Sequence, residues 1–126
     1  MYSSSTIENV LVEIENNTIN NNQNLGFNSS AGIDLEQFNN LSGTIKNNTL
    51  SNNTTSALYI GSTEASPSVC IEMTGNSSDT GYTLVNNAGT FNLAPCDVNT
   101  ANTGVITPIG TITVVQSCPD AVSCAP

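Results

Sequence analysis

The 126-residue sequence predicts an all-β fold in which short parallel strands stack as the successive coils of a solenoid. Three observations predict it. An asparagine-rich segment recurs along the chain. The strand-forming runs are too short to be stable alone. The dipeptides that make tight hairpins do not occur.

The recurrence comes first. Residues 14–22 read IENNTINNN and residues 45–53 read IKNNTLSNN, six identities in nine positions at an offset of 31. A weaker third copy starts at Ile71, in IEMTGNSSD. A second pattern follows each copy. Ile33 and Leu35 alternate with Asp34 as Leu58 and Ile60 alternate with Tyr59, at an offset of 25, and Tyr82 and Leu84 are the third member. The first copy therefore carries about six extra residues, placed within Asn20–Ser30. Each unit holds a short strand, an Asn-rich turn, a second short strand, a loop and a third short strand.

Strands with two or three inward apolar side chains must stack on copies of themselves. Asparagine enters the left-handed backbone region readily, and a sharp bend between consecutive strands needs it. Asn side chains at matching positions can also hydrogen-bond up the stack, which makes Asn17 and Asn48 ladder residues. Twenty Asn and nine Gly produce no Asn-Gly or Asp-Gly pair, so two-residue hairpins are not signalled. Crossovers between parallel strands are right-handed. Stacked copies put Ile14, Ile45 and Ile71 in an interior ladder. Glu15, Lys46 and Glu72 then form an outward column with rungs about 4.8 Å apart. Lys46 reads as a ladder residue, not as a base.

The run I-x-N-N-x-[IL]-x-x-N, followed by G-I-x-L or A-L-x-I, resembles the repeat of right-handed parallel β-helix proteins of the pectin-lyase-like class, over residues 10 to about 95. That class includes pectate lyases, polygalacturonases, epimerases, phage tailspikes and bacterial surface passengers. The segment CIEMTGNSSDTGYTLVNNAGTFNLAP looks like the closing coils of surface-type members. The resemblance implies a right-handed parallel β-helix of about three coils over 1–95, with a C-terminal β cap over 96–126.

After Pro95 the pattern changes. The run GVITPIGTITVV at 104–115 is the most β-prone, with Ile106, Ile109, Ile112 and Val114 apolar and Pro108 restricting it to an edge or a break. A solenoid needs a polar cap over its last coil, and the tail holds three of the four cysteines. Cys70, Cys96, Cys118 and Cys124 form no C-x-x-C pair. Their even count fits two disulfides in an oxidising compartment. Of three possible pairings, Cys70 with Cys96 and Cys118 with Cys124 is preferred.

At the other end Ile7, Val10, Val12 and Ile14 are the first apolar positions, and no amphipathic capping helix precedes them. An uncapped strand edge invites pairing with another chain. Residues 1–20 do not form a signal peptide, and no run approaches a transmembrane span. The expectation is an extracellular or cell-surface protein, continuous with upstream coils and an export signal outside this sequence. A small cytoplasmic binding module with reduced thiols is the rival.

Composition narrows the chemistry. Asn, Ser and Thr make up 51 of 126 residues, one Lys faces ten Asp and Glu, and the net charge is −9. With no basic face the chain is not a nucleic-acid binder. Without His it can hold neither a His-based triad nor a His-ligated zinc ion. The resemblance to lyases and hydrolases brings no catalytic set, because Arg is missing and Asp34, Asp79, Asp97 and Asp120 are isolated. Asp34 and Glu36, two residues apart on one strand face, are the candidate glycan or cation contacts, but two carboxylates are too few for a calcium site. Seven N-x-[ST] sequons occur where about five arise by chance, so they say little about glycosylation.

The expected function is a non-catalytic scaffold or adhesive face that contacts a glycan or a cell-surface protein, with no cofactor, no metal and no membrane insertion. The alternative is the C-terminal part of a polysaccharide-acting β-helix enzyme with catalytic residues upstream.

Overall fold

The structure, a computed structural model, describes residues 7–22, 31–36, 38–53, 55–62, 64–118 and 120–124. Among these the chain runs through β1 (Ile7–Glu15), β2 (Thr18–Asn20), β3 (Ile33–Leu35), β4 (Phe38–Lys46), β5 (Thr49–Ser51), β6 (Leu58–Gly61), β7 (Ser68–Thr74), β8 (Ser77–Ser78), β9 (Tyr82–Asn86) and β10 (Thr90–Ala94). The helical turn α1 (Val98–Ala101), β11 (Ile106–Gly110) and β12 (Thr113–Val114) follow.

The fold is all-β, and its named strands form three parallel sheets. A five-stranded sheet has the order β1-β4-β7-β10-β12, a four-stranded sheet β11-β9-β6-β3, and a three-stranded sheet β2-β5-β8. Through β10, each strand pairs with the one three places later, so the chain visits the three sheets in turn and comes back one rung on. Helix α1 interrupts this order. It precedes Thr103, which makes a parallel bridge to Ser77 where a fourth short strand would lie. Beyond residue 95, β11 and β12 end two of the sheets.

Side-chain alternation sorts the strands. On β7, Val69, Ile71 and Met73 are buried while Ser68 is exposed and Cys70, Glu72 and Thr74 are half-buried. Leu41 and Ile45, Leu50, Leu58 and Ile60, Tyr82 and Leu84, and Phe91 and Leu93 join them in one core. Each such side chain contributes about 1.5–3 kcal/mol by leaving water. The columns Ile33–Leu58–Tyr82 and Leu35–Ile60–Leu84 stand in register. The Tyr82 hydroxyl donates to the Thr103 carbonyl at 2.8 Å, and burial pushes its pKa up to about 12.

Asparagines turn the corners. Asn16 and Asn47 sit at φ 59° and 55°, ending β1 and β4, and Gly75 ends β7 at φ 68°. Asn21 and Asn52 make the next corner at φ 60° and 54°. The residues after the first corner form a ladder. Asn17 donates from its backbone N–H and Nδ2 to Asn48 Oδ1. Asn48 does the same to Asn76 Oδ1, and Asn76 to Asn102 Oδ1, over 2.8–3.1 Å.

Three expectations need correcting or placing. Met73, not Ile71, stands opposite Ile45, so the interior column is Ile14, Ile45, Met73, while Ile71 stands opposite Gly43. The third copy thus lies two residues later. The ladder accounts for it: Asn76 must meet Asn48, and a slipped register would bury unpaired amides. The outward column changes with it. Thr74 faces Lys46, and Glu72 faces Thr44. The disulfides are Cys70–Cys118 and Cys96–Cys124, with Cα separations of 5.7 and 5.6 Å. The tail after β12 returns over β7 and brings Cys118 to Cys70, which leaves Cys96, in the turn after β10, to pair with Cys124. Most of the segment expected to hold the extra residues of the first copy, 23–30, lies outside the described residues.

Candidate functional site

The outward face of the five-stranded sheet holds the candidate site. Alternation points Leu11, Ser42, Thr44, Cys70 and Glu72 away from the core. The tail after β12 crosses this face, held there by the Cys70–Cys118 disulfide. Between tail and strands lies a cleft of about 240 Å³ lined by Leu11, Ser42, Gly43, Thr44, Glu72 and Cys118. Gly43 lets β1 and β4 close up at its base, since a Cβ there would strike the Val12 carbonyl oxygen. Leu11 is 82% exposed, an apolar wall open to solvent.

Polar groups rim the cleft. Glu72 Oε1 accepts the Cys118 N–H at 3.1 Å, and its Oε2 lies 3.7 Å from Lys46 Nζ. Both side chains of this pair are about a third exposed or less (33% and 26%), so it is worth about 0–1 kcal/mol. Thr44 Oγ1 donates to Glu15 Oε1 at 3.3 Å, and Asn40 Nδ2 donates to Asn9 Oδ1 at 2.8 Å. The face thus offers hydroxyls, carboxamides, carboxylates and one ammonium at fixed rung spacing. Such an array can hydrogen-bond a polyhydroxylated ligand.

Asp34 and Glu36 lie elsewhere, on and just after β3 in the four-stranded sheet, with Asp34 level with Tyr59. Burial, the Asp34 charge and a hydrogen bond to Asp34 raise the Glu36 pKa. Burial, then Glu36 and Asp34, raise that of the Tyr59 phenol. These two carboxyl groups belong to a different sheet from the cleft. Among the described residues no group of three His, Cys, Asp or Glu side chains is placed to hold a metal ion. No helix among them is long and apolar enough to cross a membrane.

The structure gathers the ladder residues Ile14, Ile45, Asn17 and Asn48 in adjacent rungs. Reading the repeat missed Leu11, Ser42 and Thr44 as a shared face. A signal was present at Leu11, an apolar residue at the outward position of Val10-Leu11-Val12. It also missed Asn76 and Asn102 as ladder members, because the ladder spacing shrinks from 31 to 28 to 26 residues. No family model, no curated protein and no solved structure matches the chain.

Proposed function

We propose that the chain is a right-handed parallel β-helix of the pectin-lyase-like type, working outside the cell as a non-catalytic scaffold. Its five-stranded sheet presents the contact face for a surface glycan. The carrying observation is the cleft between β1, β4, β7 and the tail, where an apolar wall at Leu11 adjoins hydroxyls and a carboxylate on rigid strands. An apolar wall with a few placed polar groups suits a sugar ring. Two disulfides support an oxidising location.

A glycan array probed with the oxidised protein tests the reading. Binding is expected, and Leu11→Asp is expected to weaken it at least about tenfold while leaving thermal unfolding unchanged. Equal binding by that variant, or none by the native chain, overturns the contact role. Shortened oligosaccharides in mass spectra after incubation overturn the non-catalytic role.

A further inference from the structure

The two ends of the asparagine ladder are finished differently. At the far end Asn102 Nδ2 donates to the carbonyls of Met73 and Val98, both at 2.9 Å, so the first residue of α1 takes the bond that a further rung would have taken. At the near end Asn17 Nδ2 donates to Asn48 Oδ1 and to the Glu15 carbonyl. The Oδ1 atoms of Asn48, Asn76 and Asn102 each accept two bonds, from the N–H and Nδ2 of the preceding asparagine. Asn17 Oδ1 accepts none among the described residues.

The surroundings agree. β1, β2 and β3 are the end strands of their sheets, and β1 runs nine residues without Pro or Gly. Val10, Val12, Ile14 and Ile19 are only half-buried. The partners of Val10, Ile14 and Ile19 one rung on are buried, with Leu41 and Leu50 1% exposed and Ile45 fully covered, while Val12 stands opposite the half-buried Gly43.

We propose that this end of the stack docks a further parallel strand–turn–strand segment from another polypeptide. That segment carries asparagine at the ladder position and a basic residue opposite Glu15. Asparagine supplies the two donors that Asn17 Oδ1 lacks, as each ladder asparagine does for the next. The basic residue answers the charge of Glu15, which takes the Thr44 hydroxyl while Lys46, opposite it in register, lies with its ammonium by Glu72.

A second copy of the chain fits poorly. Head to head, a two-fold axis makes the paired strands antiparallel, which cannot continue a ladder built on parallel register. Head to tail, it brings Pro108 in β11, the two-residue β12 and α1, none of which continues the rung.

The test uses the full oxidised chain and three synthetic peptides. One has the sequence of residues 38–53, one is the same with Asn48→Ala, and one has the sequence of residues 7–22, which sets glutamate against Glu13 and Glu15. At saturation the 38–53 peptide is expected to slow amide exchange in β1 by about tenfold or more. The Asn48→Ala and 7–22 peptides are expected to bind about tenfold more weakly, as loss of a buried amide pair or a like-charge contact predicts. Unchanged β1 exchange overturns the proposal. So does equal affinity for all three peptides. Concentration-dependent dimerisation that protects β1 in the chain alone overturns the choice of partner, and so does a β1 already protected, in the protein isolated from its source, by coils of the same polypeptide.

Discussion

At the C-terminal end of the stack Pro108 sits in the outermost strand of its sheet, β12 is two residues long, α1 interrupts the strand order, and two disulfides pin the tail. At the N-terminal end β1 offers nine residues of edge and an asparagine oxygen that accepts nothing among the described residues. Both ends continue one strand pattern. Only the C-terminal end breaks it, and each break removes a means of adding a rung: a missing N–H, a shortened edge, a carbonyl in place of a carboxamide. Periodicity builds the stack, and departures from periodicity end it.

The largest expected effect separates the ends covalently. Each disulfide closes a loop of 48 or 28 residues and stabilises by about 4 kcal/mol through the unfolded chain. Cys70→Ala with Cys118→Ala should lower the unfolding temperature and speed exchange in β10 and β12 while β4 stays protected. Equal loss across all strands would make the two ends one cooperative unit.

Next is the position dependence of the ladder. Asn76→Ala takes the acceptor of the Asn48 N–H and Nδ2, the Nδ2 donor to the Ile45 carbonyl and one of the two bonds at Asn102 Oδ1 out of a buried site, an expected cost of about 2–4 kcal/mol. Asn17→Ala, at the open end, should cost about 1 kcal/mol or less. Denaturant melts of both variants measure the difference, and equal costs would remove the contrast between centre and edge.

A smaller effect tests Tyr82. The folded phenol holds its proton to about pH 12, against 10 for an ordinary tyrosine. The folded state therefore binds a proton that the unfolded chain gives up. The stabilisation is full below pH 10 and is lost as pH rises through 12. Tyr82→Phe should cost about 1 kcal/mol at neutral pH by removing one of the two hydrogen bonds at the Thr103 carbonyl, which keeps the Ser78 N–H, and should blunt the alkaline loss. An absorbance titration with matching melts reads both. The smallest effect is Lys46→Met, below about 1 kcal/mol and vanishing in high salt, because the pair with Glu72 is partly exposed.

The stacking of parallel strands was legible because asparagine marks its corners. Asn16 and Asn47 need no tertiary information to announce a left-handed bend, and the Ile33–Leu58–Tyr82 column follows from simple alternation. Other features were not legible, for physical reasons. Strand β7 alternates Val69, Ile71 and Met73, so either of the last two could sit against Ile45. Only the demand of Asn76 for Asn48 chooses between them, and that demand is a contact between rungs. The cysteine pairing depended on where the tail returns. It lies over β7, where no local signal placed it. The cleft follows from that same return, so the repeat alone does not set Ser42 and Thr44 apart from other outward strand positions.

The overlapping disulfides also divide the chain as a tether. Under a pull along the backbone, load entering at Cys70 passes through sulfur to Cys118 and bypasses the residues between them. Residues 7–69 can then pay out about 210 Å of contour at roughly 3.4 Å each, while most of the chain beyond Cys70 stays off the load path. Oxidation thus makes one half of the molecule extensible and the other a fixed anchor, and reduction makes the whole chain extensible.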